Sequence, residues 1–208
     1  MRFLLALALM SLATPACAQL VVPLATPDGR VACTQGMTGI GRPADWQAVR
    51  DSGVPDGWAL AETAADPNDL RFPLCVSPSA VVRDFEATLR FRPLSGTRAQ
   101  VGGLMFRAQD ANDYYVVRAN SLDQSVRLYR MEKGKRSQLA SKKAPLQVDK
   151  WHTLKVTVMG DRIEVGLDGE SLFSTTDRSL PQPGAIGVWS QADSVTHYGT
   201  LLLSAAPR

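Results

Sequence analysis

Between Val101 and Arg130 the chain reads VGGLMFRAQDANDYYVVRANSLDQSVRLYR, and the residues in it that could do chemistry recur at alternate positions: Arg107, Arg118, Asn120, Arg127 and Tyr129. A guanidinium is a planar fork of donors suited to paired hydroxyl or carboxylate oxygens, an amide both donates and accepts, and a tyrosine ring offers a flat face to the C–H side of a sugar ring. Trp189 and His197 add an indole and an imidazole further along the chain. These seven residues are the candidate ligand-binding set. The chemistry they suit is non-covalent recognition of a saccharide or another polar small molecule, and the charge of the arginines favours an acidic or uronic sugar.

Catalytic constellations are harder to find. Glycoside hydrolysis needs two carboxyl groups about 5 to 9 Å apart across the scissile bond. The chain has five glutamates, and two of them, Glu164 and Glu170, flank an Asp168-Gly169 hairpin turn, where they read as solvated neighbours. No Gly-x-Ser-x-Gly elbow is present, and catalytic residues stay unassigned. The two histidines, His152 and His197, lie in separate expected strands and are too few for a zinc site. The Asp110-Ala111-Asn112-Asp113 loop starts like a calcium loop but lacks the central glycine and distal glutamate, so turn formation is the preferred reading and no metal or other cofactor is expected.

Strands must position these residues. In the opening stretch, three runs alternate apolar with polar residues and are separated by turn clusters at Gln109–Asp113 and Asn120–Gln124, the pattern of a β-meander. If Leu104, Phe106, Tyr115, Val117, Val126 and Leu128 face a core, the opposite parity gathers the arginines, Asn120 and Tyr129 on the other face, which a curved sheet would make hollow. Val82–Pro93 and Trp151–Met159 alternate in the same way, and glycine turns at Gly160, Gly169 and Gly184 separate further strands. Met131–Ser137 reads as a basic, solvated hairpin. Pro73 interrupts an expected strand, which predicts an edge position or a bulge there. Gln19–Pro55, rich in Gly and Pro with Trp46, Val49 and Val54 as its few large anchors, is expected to be an irregular segment with short strands, laid across one end. Roughly eleven to thirteen short strands with turn signals between them predict an all-β sandwich or barrel.

Arg2, the apolar run Phe3–Met10 and the small residues ending Ala16-Cys17-Ala18 fit a secretory signal peptide over 1–18, leaving one domain over 19–208. The rival is a lipoprotein anchored at Cys17. No later run is apolar enough to span a membrane. The formal charge of +3, or +2 once Arg2 is removed, gives no argument for nucleic acid. Cys33 and Cys75 survive processing; an even pair in an exported chain reads as one disulfide, with two buried free thiols as the alternative.

DFEATLRFRP, GLMFRAQDANDYYVVRANSLDQSVRLYR, WHTLKVTVMGDRIEVGLDGE and GAIGVWSQADSVTHY, spread from Asp84 to Leu203, together resemble the concanavalin A-like lectin/glucanase superfamily. Within it the sequence is most similar to the bacterial exported 3-keto-disaccharide hydrolase domain family and its laminin G-like relatives. The resemblance implies a two-sheet antiparallel jelly-roll sandwich whose concave face holds sugar. Two departures stand out: His197, Tyr198 and Gly199 replace the aromatic and acidic pair of similar proteins, and Glu164 to Glu170 does not reproduce the glucanase spacing. The expectation is a monomeric, periplasmic or secreted, non-catalytic carbohydrate-binding module. The alternatives are a 3-keto-disaccharide-type glycoside hydrolase and a structural or adhesion module with a protein partner.

Overall fold

The structure, a computed structural model, describes residues 19–206, so the expected signal peptide lies outside the described residues. Fifteen strands and no helix are present there. In chain order they are β1 (Leu20–Val22), β2 (Thr34–Gly39), β3 (Trp46–Arg50), β4 (Trp58–Glu62) and β5 (Arg71–Val82). The chain continues through β6 (Phe85–Ser95), β7 (Val101–Ala108), β8 (Tyr114–Asn120), β9 (Ser125–Glu132) and β10 (Lys135–Lys143). It ends with β11 (His152–Met159), β12 (Arg162–Leu167), β13 (Glu170–Thr176), β14 (Gly184–Trp189) and β15 (Val195–Ala205).

The strands form two antiparallel sheets packed as a jelly-roll sandwich. One runs β13-β12-β11-β6-β15-β4-β3, with β1 alongside β15; the other runs β10-β9-β8-β7-β14-β5-β2. Alternation decides the inner faces. Phe85, Ala87, Leu89 and Phe91 on β6 are buried against the other sheet, while Glu86, Thr88, Arg90 and Arg92 point away. All six residues read as core-facing in the meander, Leu104, Phe106, Tyr115, Val117, Val126 and Leu128, are in the inter-sheet core. Asp168 and Gly169, both at positive φ (51° and 89°), make the two-residue turn between β12 and β13.

The N-terminal segment departs from its expected placement. Gln19–Pro55 is not laid across an end: β1 joins β15, β2 is the margin of one sheet and β3 of the other. Trp46 anchors β3 in the core, and the Cys33–Cys75 disulfide fastens the start of β2 to β5 (Cα–Cα 5.4 Å). The expected edge position of Pro73 is also overturned, because β5 lies between β14 and β2. The register shift in the β5–β14 pairing falls further along, where Gly187 opposes Val76 but Ala185 opposes Val81.

The seven-stranded sheet is strongly bent. In a flat sheet five strand spacings of about 4.8 Å would put β10 about 24 Å from β5, yet the Arg136 guanidinium on β10 lies 4.7 Å from the ring centre of Phe72 on β5. Thr38 Oγ1 on β2 likewise meets Tyr114 Oη on β8 at 2.9 Å, four strands away. Side chains of that length touch across the outward face only if the sheet curls toward it. That face is therefore a hollow, lined by a second apolar cluster of Phe72, Leu74, Met105, Tyr114, Val116, Tyr129, Met131 and Trp189.

Candidate functional site

Strand parity brings Arg118 and Asn120 (β8), Arg127 and Tyr129 (β9) and Trp189 (β14) to the hollow side. Register places Arg118 directly opposite Arg127. Two like charges so placed repel, and Asp123 in the β8–β9 turn relieves this by accepting from both: 2.8 Å from Arg118 Nη2 and 3.0 Å from Arg127 Nη2. Tyr129 Oη closes the group, 3.5 Å from Arg118 Nη1 and 3.4 Å from Arg127 Nη1. Arg118 is 5% exposed, whereas the Arg127 and Asp123 side chains keep 30% and 32% of their surface in solvent.

Trp189 is the floor and not an exposed platform. It is fully buried, stacks on Phe72 with ring centres 5.3 Å apart, and donates from Nε1 to Tyr114 Oη at 3.1 Å. Asn120 points its oxygen into the backbone, accepting from Gln100 N (3.0 Å) and Leu122 N (3.1 Å), which makes it a turn-holding residue.

Arg107 and His197 leave the predicted constellation. Arg107 has φ +48° at the end of β7, so its side chain breaks the alternation. It is buried and donates to the carbonyls of Arg83 (3.0 Å), Gly160 (2.6 Å) and Leu180 (3.3 Å), and burial pushes its pKa down. It is a cross-tie at one end of the sandwich. His197 is on β15, in the opposite sheet, paired in register with Arg92. Its Nδ1 lies 2.6 Å from Asp51 Oδ2, which also accepts from Arg92 Nη2 at 2.5 Å. Burial alone would raise the Asp51 pKa, but the hydrogen bonds from His197 and Gly53 and the charge of Arg92 hold it below the ordinary carboxylate value.

Reading Met131–Ser137 as a solvated hairpin missed Arg136. The turn is there, with Lys133 and Gly134 at φ +50° and +72°. Past it, however, Arg136 pairs with Met131 and lies over the hollow, 4.7 Å from Phe72 and 4.8 Å from the Tyr129 ring centre. Carrying the β9 parity through the two-residue turn would have found it.

The other sequence readings resolve as follows. His152 Nδ1 is 2.7 Å from Asp168 Oδ2, and its Nε2 is 3.0 Å from the Gln147 carbonyl, a structural arrangement. Asp110 Oδ1 accepts from Asn112 N (2.7 Å) and Asp113 N (3.0 Å), as a turn former does. Among the described residues no group of three or more His, Cys, Asp or Glu could hold a metal ion. Glu164 and Glu170 are more than isolated hairpin neighbours: with Glu86 and Lys155 they line a recess of about 320 Å³ outside the eight-stranded sheet. Two of these carboxylates are already paired, Glu86 with Lys155 at 2.9 Å and Glu164 with Arg162 at 2.7 Å.

Residues 42–198 match the family described as the 3-keto-alpha-glucoside-1,2-lyase-like domain. The chain belongs to this family. The match takes in the Arg118, Arg127, Tyr129 and Arg136 cluster and the Asp51–His197 pair alike. A levanase of Bacillus subtilis is 31% identical over 108 residues, 50% of this chain and 16% of that protein, so the match spans a small part of that protein's length. Among solved structures, the carbohydrate-binding module CBM66 from Bacillus subtilis superposes with a TM-score of 0.65 at 23% identity, covering 82% of this chain and 96% of that one. A Bacillus subtilis protein with a galectin-like fold reaches 0.65 at 14% identity over 93% and 97% of the two chains. The VIP36 exoplasmic/lumenal domain in its Ca²⁺/Man-bound form reaches 0.61 at 12% over 91% and 90%. At these identities the likeness establishes the jelly-roll fold, and function has to be argued from the site.

Proposed function

We propose that the hollow of the seven-stranded sheet binds a saccharide without altering it. The observation that carries this reading is the convergence of Arg118, Arg127 and Tyr129 around one point of a curved face: forked donors beside a ring, the pairing that a polyhydroxylated ring with apolar C–H patches requires. Support comes from the carbohydrate-binding module and the mannose-bound domain that share the fold, and from the levanase that shares sequence. The signal-like N-terminus and the disulfide support a periplasmic or secreted location. Screening the purified protein against a glycan array, with Tyr129→Ala alongside, tests the reading. The expected result is binding that the variant loses at a temperature where its own melt shows it still folded, since Tyr129 is buried and its truncation lowers the melting temperature; a folded wild type that binds no glycan overturns the reading.

One observation favours a second reading, cleavage of a 3-keto glycoside as the family description suggests. Elimination next to a ketone needs a base to take the proton from the adjacent carbon, and an imidazole oriented by a carboxylate is suited to that role. His197, fixed through Nδ1 by Asp51, is such an imidazole, and its Nε2 has no hydrogen-bond partner among the described residues. Incubation with 3-keto-disaccharides, comparing the protein with His197→Gln, tests it; an inert wild type removes this reading.

A further inference from the structure

The charges in the hollow do not balance. Arg118, Arg127 and Arg136 all reach the Tyr129 ring or hydroxyl, and among the described residues Asp123 is the one carboxylate bonded to any of the three. Arg136 has no ion-pair partner among the described residues; its hydrogen bond goes to the neutral Gln191 Oε1 at 3.4 Å. The nearby Asp69 carboxylate is taken by Arg98. Withdrawal from water pushes the Arg136 pKa down, and the charges of Arg118 and Arg127 push the same way. A guanidinium keeps its proton regardless, so the positive charge stays in the hollow. The second observation is independent of charge counting: the Nε of Arg118, a residue 5% exposed, is buried and has no hydrogen-bond partner. A buried donor left without an acceptor is costly, and such groups in native proteins call for a partner.

We propose that the saccharide taken by this hollow carries a carboxylate, as a uronic acid does, and that Arg118, Arg127 and Arg136 hold that carboxylate beside the Tyr129 hydroxyl. The inference rests on the saccharide-binding reading and narrows it to an acidic ligand. Arg136 is its specificity residue. Its guanidinium carbon lies 4.7 Å and 4.8 Å from the ring centres of Phe72 and Tyr129 and it has no carboxylate partner among the described residues, and a two-pronged pair with a ligand carboxylate is among the stronger polar contacts available. Trp189 and Tyr114 beneath exclude water from one side, which strengthens the attraction.

Calorimetric titration decides the matter with oligosaccharides of galacturonate, glucuronate and mannuronate, each matched with its carboxyl-reduced neutral counterpart. The expected result is that at least one acidic oligosaccharide binds more than about tenfold tighter than its reduced form. Raising salt from about 0.05 M to about 0.5 M should weaken only the acidic ligand. Arg136→Gln should lose about tenfold more for the acid than for its reduced counterpart, and Arg136→Lys should recover part of that difference, an effect that a purely packing role for the side chain would not give. Because Arg136 lies on a margin strand, melting temperatures of both variants provide the folding control. Equal or preferential binding of the reduced forms overturns the inference and leaves the saccharide reading standing; absence of binding by all six, with an empty glycan array, overturns both.

Discussion

Arg71 on β5 and Glu62 on β4 form a two-pronged ion pair that joins the two sheets, with Nη1–Oε2 at 3.0 Å and Nη2–Oε1 at 2.7 Å and both side chains shut off from water (0% and 1% exposed). The same guanidinium donates to the carbonyls of Arg42, Pro43 and Ala192. Removing the acid strands a charge inside the sandwich, which costs about 3 to 5 kcal/mol. Glu62→Ala should lower the unfolding free energy by that amount in urea titration. Since Ala192 adjoins Gln191, the partner of Arg136, the variant should also weaken whatever the hollow binds.

The disulfide closes a 42-residue separation. Chain-entropy arithmetic for a loop of that size gives about 4 kcal/mol of stabilisation. Cys33→Ser combined with Cys75→Ser should lose most of it, read as a fall in the urea midpoint, with a steeper slope because the unlinked denatured chain exposes more surface. A midpoint equal to the wild type would mean that β2 is held without the bridge.

Alkaline pH should destabilise the fold through its buried tyrosines. Burial pushes the Tyr114 phenol up to about 12, and burial also raises Tyr115 and Tyr198. In the unfolded chain a tyrosine titrates near 10. A raised pKa means that the folded form holds its proton longer, so this stability is whole below about pH 10 and for Tyr114 is lost between about pH 10 and 12. Thermal melts from pH 8 to 11.5, with absorbance at 295 nm to follow phenolate, should show no loss below about pH 10 and then a progressive one, with ionisation coincident with unfolding.

Gly102 marks a close approach of the two sheets. A Cβ there would lie 2.1 Å from the Phe91 ring, and Phe91 is fully buried with no room to retreat. Overpacking of this kind costs about 1 to 3 kcal/mol. Gly102→Ala should therefore lower the melting temperature, and pairing it with Phe91→Leu should restore part of the difference.

Period-two alternation was enough to read the meander from β7 to β9, because one face of each strand is buried in a continuous core and the sequence has to record that. The same parity correctly put Arg118, Arg127 and Tyr129 on one side. It failed at Arg107, where a positive φ turns the side chain out of the alternation, and single-residue backbone twists leave no periodic trace. It did not place β2 and β3, expected as short strands across one end, at the borders of the two sheets, because neither has an alternating run long enough to record which sheet it joins. Arg136 was hidden for a different reason: a basic hairpin looks solvated until the bend of the sheet folds its far strand over the hollow. Trp189 carries no mark in the sequence to tell a stacking platform from a buried floor, and only its contact with Phe72 decides.

The two borders of the seven-stranded sheet are fastened unequally. β2 is riveted by a covalent bridge at its first turn, while β10, at the other border, is zipped to β9 by backbone hydrogen bonds that slip register between Gln138 and Ala140. The border carrying β10 has no covalent link of that kind, so the place of Arg136 over Phe72 and Tyr129 depends on the β9–β10 pairing.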